Sequence, residues 1–223
     1  MPNPLAKYAA DLTSLPGAAA EGYRNEGLRG AWDALAARTV HRVIRASRLT
    51  LFAQTLEWIP DVAPPPGIRI ERLREASLEA LAPVAGERER DRFRRLLDIG
   101  CIGLVAWRGK RPVGYAWVAA EMRPEVSHCP LELPPHAAYL WNLYVVPAER
   151  RSGLGSALAA ERLRTARDLG RSEGWRMIRP DNTASLSTLR RSGARPRVVG
   201  ELRYLKLGPR LFTRFTPCPT PTR

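Results

Sequence analysis

The residues best suited to chemistry lie in "LYVVPAERRSGLGSAL", from Leu143 to Leu158. A strand-like apolar run ends at Val146, Pro147 and two arginines follow, and Gly153 and Gly155 open a helix-like run. The first N–H groups of a helix have no partner inside it and carry the positive end of its dipole, so this turn is suited to an anion. The two glycines leave the backbone open to close approach, and Arg150 and Arg151 bring cationic forks beside it. At about 1.5–3 kcal/mol per charge-assisted hydrogen bond, a few amides and one arginine would hold a pyrophosphate without a metal. No lysine follows the glycines, which excludes the phosphate loop of nucleoside triphosphatases. The dinucleotide fingerprint fails at its third glycine, where Leu158 stands. A bare strand-to-helix turn that binds nothing is the alternative reading of the glycines, as is a plain helix cap for Asn182.

Elements of both kinds must position that turn. Apolar spacing predicts a basic amphipathic helix over residues 26–47 and a strand over 48–56, before "APPPG" at 63–67 breaks the pattern. Residues 1–63 are therefore expected to form an N-terminal extension, residues 64–215 a mixed α/β domain, and residues 216–223 a disordered tail. In the domain the expected order is a strand at "GIRIERL", two helical pieces, a hairpin turning at "RGKR", a proline-rich loop, the strand "AAYLWNLYVV" and the glycine-led helix ending at Gly170. The short strand "WRMIRP", the short helix after Asn182 and one or two closing strands complete it.

Composition bounds the function. The chain has 223 residues and a net charge of +14, yet Lys7, Lys110 and Lys206 are its only lysines, and its arginines are scattered instead of clustered. Scattered arginines describe a solvated surface with a few anion contacts better than a nucleic-acid interface. The first residues lack a compact apolar segment behind a basic start, so a cytoplasmic protein is expected. Cys101, Cys129 and Cys218 have no paired spacing and read as reduced thiols. His128, Cys129 and His136 share one loop without ligand spacing, so no metal is expected.

With Arg150, Gly153 and Gly155 at the positions of (Q/R)xxGxG after a strand and a V-x-P turn, the first stretch resembles the pyrophosphate motif of the GNAT superfamily of N-acetyltransferases. "DNTASLSTLRRSGA" resembles the next motif of that superfamily, with Asn182, Arg191 and Gly193 in place. The resemblance covers residues 67–207 and implies a mixed central sheet with flanking helices, in which two parallel strands splay to form a coenzyme A cleft. It implies that backbone groups of Leu143, Tyr144 and Val145 pair with the pantetheine arm of acetyl-CoA. Arg150, Arg151, Ser152, Gly153, Leu154, Gly155 and Ser156 would surround the pyrophosphate, and Asn182 would bond the donor near its thiol.

The same resemblance implies direct acyl transfer to an amine of a small-molecule or sugar acceptor, and three positions depart from it. Leu189 stands where many members have a tyrosine acid, Met177 where some have a glutamate base, and Ala194 where an aromatic residue usually follows the helix-ending glycine. An amine of pKa about 10.4 is less than about 0.1% neutral at pH 7, so something must take its proton. Glu121 and Tyr139 are the candidates by position, with a solvated strand end and a packing aromatic as their alternatives. Tyr115 and Trp117 share one strand face, suited to core packing or to an acceptor pocket. The rival to an enzyme is a non-catalytic module that binds acyl-CoA or assembles at a membrane surface. For the N-terminal helix, packing on the domain or a second copy (a homodimer) stands beside peripheral contact with anionic lipid and contact with nucleic acid.

Overall fold

Period-two alternation of apolar side chains builds a sheet of eight strands, which the computed structural model describes over residues 44–127, 131–191, 196–207 and 210–218. The strands are β1 (Ile44–Thr55), β2 (Ile68–Arg72), β3 (Ile102–Arg108), β4 (Arg111–Ala119), β5 (Ala137–Val145), β6 (Glu173–Ile178), β7 (Arg197–Leu207) and β8 (Arg210–Pro217). Their order across the sheet is β2-β3-β4-β5-β6-β1-β7-β8. The helices are α1 (Leu78–Ala85), α2 (Glu87–Asp98), α3 (Leu154–Asp168) and α4 (Thr183–Arg191). This is the mixed α/β class expected from the sequence.

Two compact units divide the chain: Leu49–Leu202 with Phe215–Arg223, and Met1–Arg48 with Arg203–Arg214. Of the second, the described residues are the continuations of β1, β7 and β8 at 44–48, 203–207 and 210–214. The basic helix expected over 26–47 falls outside the described residues up to position 43. From Ile44 onward the chain is strand, because residues 46–49 alternate between exposed and half-buried as a strand does and a helix does not. The strand expected at 48–56 is the rest of β1, which pairs antiparallel with β6 from Thr50 opposite Ile178 to Thr55 opposite Glu173. At the other end, β8 runs to Pro217 and the Cys218 N–H donates to the Val199 carbonyl, so the expected tail begins with paired residues. No helix among the described residues is long and apolar enough to cross a membrane.

The two faces of the sheet carry different layers. On one, Leu81, Phe93 and Leu96 of α1 and α2 pack with Tyr115, Trp117 and Tyr139. On the other, Leu154 and Leu158 of α3 cover Leu104, Ala106 and Val113, and Leu163 and Ala166 cover Val118, Ala138 and Leu140. Each fully buried side chain of this size contributes about 1.5–3 kcal/mol, which holds α3 against the strands that flank the functional turn. Tyr115 and Trp117 are thus core residues, 7% and 0% exposed.

Candidate functional site

The site begins where two parallel strands stop pairing. β5 and β6 are in register only at Ala137 with Glu173, Ala138 with Gly174 and Tyr139 with Trp175. At that vertex a Cβ on Gly174 would lie 2.8 Å from Leu140 Cδ1 and 3.2 Å from Leu163 Cδ2, so the glycine lets β5, β6 and α3 close together. Beyond it β5 follows β4 instead. Its pairing with β4 shifts register between Tyr115 and Trp117, and Asn142 takes a left-handed φ of 48°, the mark of an extra residue in β5. The divergence opens a cavity of about 650 Å³ between β5, β6, the start of α3 and α4.

The turn into α3 is built from the opposite end of β3. Arg108 Nε and Nη2 donate to the two carboxylate oxygens of Glu149 at 2.7 and 2.8 Å, fixing the turn Pro147–Glu149. Ser152 Oγ donates to the Glu149 carbonyl at 2.7 Å, and Arg150 Nε to the Val145 carbonyl at 3.2 Å. Arg151 at φ 63° and Gly153 at φ 94° swing the backbone into the helix. Among the described residues no hydrogen bond within the chain occupies the N–H groups of Arg151, Ser152, Gly153 and Gly155. A Cβ at Gly153 would meet nothing within 4 Å, and one at Gly155 only Val145 Cγ2 at 4.0 Å. Open amides beside empty volume at a helix start make an anion cradle, which is the fit a coenzyme A pyrophosphate requires.

The Arg108 guanidinium also holds the Glu149 carboxyl below its ordinary range. A depressed folded pKa means stabilisation that is present above the unfolded value and lost as pH falls through the folded one. Glu149→Gln is therefore expected to lower the urea midpoint at pH 7 and to lose less stability than the wild type between pH 7 and pH 3. Equal acid losses would show that the pair does not brace the turn.

Of the residues expected at the site, Leu143, Tyr144, Val145, Arg150, Arg151, Gly153, Gly155, Ser156 and Asn182 line this one cavity. Ser152 and Leu154 do not: the Ser152 hydroxyl turns back to the turn it braces, and Leu154 is buried in the core beneath α3. Asn182 does both things weighed for it, because its Oδ1 accepts from the Ser185 N–H at 3.0 Å as a helix cap while the residue lines the cavity. Its Nδ2 is what remains to meet a ligand.

The two proton-transfer candidates lie elsewhere. Glu121 falls past the end of β4, is exposed, and its carboxylate accepts from Arg123 at 2.8 Å. Tyr139 is 6% exposed and stacks on Trp141 with ring centroids 5.6 Å apart. Neither lines the cavity. Leu189, at the position of the family's tyrosine, is buried, while Met177 lines the cavity where a glutamate base would stand. His128 and Cys129 lie outside the described residues, and His136 sits 3.6 Å from Glu173. The described residues hold no cluster of metal-ligating side chains.

Sequence reasoning missed Trp141, Asn142, Arg162 and Arg176, which also line the cavity. Each has a buried side-chain nitrogen without a hydrogen-bond partner: Trp141 Nε1, Asn142 Nδ2, Arg162 Nε and Arg176 Nε. All four are donors. With Arg150, Arg151 and Arg191 the lining holds, among the described residues, five arginines and no aspartate, glutamate or histidine. A cavity so made is complementary to a ligand rich in acceptors and negative charge.

The profile of the Acetyltransferase (GNAT) family matches residues 69–194. No curated protein matches the chain. Among solved structures, a protein from Drosophila aligns with a TM-score of 0.54 at 20% identity, over 83% of this chain and 57% of its own. A functionally unknown conserved protein from Staphylococcus epidermidis aligns at 0.53 and 12%, over 78% and 66%. A region described as a GCN5-related glucosamine N-acetyltransferase, within a fungal multi-domain GH3 beta-N-acetylglucosaminidase, aligns at 0.53 and 13%, over 80% and 22%. At these identities the likeness is one of fold. The chain spans a little over half of the first of these proteins, 57%.

Proposed function

The chain belongs to the acetyltransferase (GNAT) family, and from that premise we propose that it transfers an acetyl group from acetyl-CoA directly to the amine of a small-molecule or sugar acceptor. The observation that carries this reading is the cavity between the diverging strands, continuous with the open amides of the α3 turn. The N–H groups of Arg151, Ser152, Gly153 and Gly155 would hold the pyrophosphate, with Arg150 and Arg151 beside it. The edge of β5 at Leu143, Tyr144 and Val145, left without a β6 partner, would pair with the pantetheine amides. Asn182 Nδ2 would donate farther along.

The thioester supplies an activated carbonyl: the acceptor nitrogen forms the new C–N bond, the C–S bond breaks, and the amine proton must leave while the sulfur gains one. The chain's part is to bind, orient and exclude bulk water, which is worth several orders of magnitude in rate. Among the described residues no carboxylate or imidazole lines the cavity, which favours water as the acceptor of the amine proton. The rate constant kcat/KM is then expected to rise with pH towards the acceptor's own pKa, about 10 for a lysine-like amine. A plateau near pH 6–7 would indicate a protein base other than the described residues of the lining.

A module that binds acyl-CoA without transferring it is the second reading, favoured by Leu189 and Met177 at the family's acid and base positions. Calorimetric titration with acetyl-CoA followed by thiol release over a panel of amines separates the two. Binding with turnover on at least one amine supports the enzyme, binding without turnover on any supports the module, and no binding refutes both.

A further inference from the structure

Arg162 on α3 and Arg176 on β6 are 5% and 4% exposed, and both line the cavity. Alternation along β6 puts Gly174, Arg176 and Ile178 on the α3 face, since a Cβ on Gly174 would touch Leu163 of α3. The two guanidiniums therefore share one side of the cleft. Their partners are neutral: Arg162 Nη1 donates to the Trp141 carbonyl at 3.3 Å, and Arg176 Nη2 to Gln54 Oε1 at 2.6 Å. The Nε of each has no acceptor. Among the described residues no carboxylate forms an ion pair with either.

Two buried like charges with no counter-charge are costly, because the protein has removed their water and replaced it only in part, by one neutral acceptor each. Burial, with Arg176 as the next cause, draws the Arg162 guanidinium down to about 9, and burial alone draws Arg176 to about 10. Both remain cations at neutral pH. What such a pair lacks is an anion that accepts from both forks.

The geometry points to a carboxylate-binding subsite where β5 and β6 begin to part, at which Arg162 and Arg176 hold a carboxylate of the bound substrate. This rests on the reading of the cleft as an acyl-CoA site and narrows the substrate class within it. The carboxylate can come from the transferred acyl chain, as in a half-thioester of a dicarboxylic acid, or from the acceptor amine. The acyl chain is the better match, because the arginines share a cavity with the α3 turn. Nine residue steps along α3 take the chain from Gly153 to Arg162, about 13 Å of rise.

Two non-transferable thioethers, S-ethyl-coenzyme A and S-carboxyethyl-coenzyme A, test this on the full chain by calorimetry. The carboxylated compound is expected to bind at least tenfold tighter. Arg162→Gln and Arg176→Gln should each cut that preference to within about twofold, and Arg167→Gln, an exposed arginine outside the cavity, should keep it. A second titration, in saturating S-ethyl-coenzyme A, compares γ-aminobutyrate with butylamine. A preference for the carboxylate there, lost in Arg176→Gln, keeps the subsite and assigns its anion to the acceptor. Equal binding in both wild-type comparisons overturns the subsite, whether or not the variants fold, and leaves the acyl-CoA reading standing. Failure of S-ethyl-coenzyme A to bind at all overturns both.

Discussion

Gly155→Val is expected to weaken acetyl-CoA binding at least tenfold while leaving the protein folded. Gly155 lies inside the first turn of α3 with ordinary helical backbone, and the only atom near its missing Cβ is Val145 Cγ2 at 4.0 Å. A valine fits the fold and projects into the volume assigned to the pyrophosphate. Tenfold in affinity is about 1.4 kcal/mol. Loss of a single charge-assisted hydrogen bond, about 1.5–3 kcal/mol, suffices for that, and displacement of the diphosphate would break several. Gly153→Val should lose at least as much, and for two reasons. It obstructs the same volume, and at φ 94° a β-branched residue adds about 1–3 kcal/mol of backbone strain that moves the turn. Titration of both variants checks this, with thermal melting to confirm folding. A folded Gly155→Val chain with unchanged affinity would place coenzyme A elsewhere.

The largest expected loss of stability is at Trp117→Ala, about 3–5 kcal/mol. Trp117 is 0% exposed, and its ring centroid lies 5.0 Å from Phe93 of α2 and 6.0 Å from Trp141 of β5. It thus joins a covering helix to the strand that forms one wall of the cleft. The loss should fall toward the lower figure, because the indole N–H is buried without a partner and its removal returns part of that cost. Trp117→Phe keeps most of the apolar contact and should lose markedly less. Urea denaturation measures both. Since domains of this kind are stable by about 5–15 kcal/mol, the alanine variant is expected to be close to unfolding at 37 °C. A loss below about 1 kcal/mol would mean that this cluster does not organise the sheet.

What was legible in the sequence was local. The hairpin of β3 and β4 announces itself by alternating apolar residues about Gly109 and Lys110, and α3 by its apolar stripe and the glycine that stops it, Gly170 at φ 73°. The glycine turn was legible because its pattern needs particular residues within a few positions, and nine of the residues expected at the site line one cavity. What depended on distant pairing was not. That β1 would enter the sheet beside β6 has no local signature, since alternation states that a strand exists and is silent on its neighbour. The helical spacing read through residue 47 gave way to strand for the same reason. Glu121 and Tyr139 are candidates only by their places along strands, and proximity along a strand does not turn a side chain into a cleft.

Arg162 and Arg176 carry a different kind of signal in the sequence. Arg162 stands three residues after Ala159 and four before Ala166, inside the stripe that packs α3 on the sheet, and Arg176 occupies the middle of a short buried strand. A charge in an apolar stripe is a conflict that a fold tolerates where function requires it. The left-handed backbone of Asn142 is a similar departure, and it coincides with the parting of β5 from β6.

The most direct test of the acyl-CoA cleft is amide hydrogen exchange of the full chain with and without saturating acetyl-CoA, followed residue by residue from Val145 to Ala157. If the α3 turn holds the pyrophosphate, exchange at Arg151, Ser152, Gly153 and Gly155 slows on binding by at least tenfold, because open donors gain acceptors. Exchange left unchanged at these four amides while acetyl-CoA binds would contradict it.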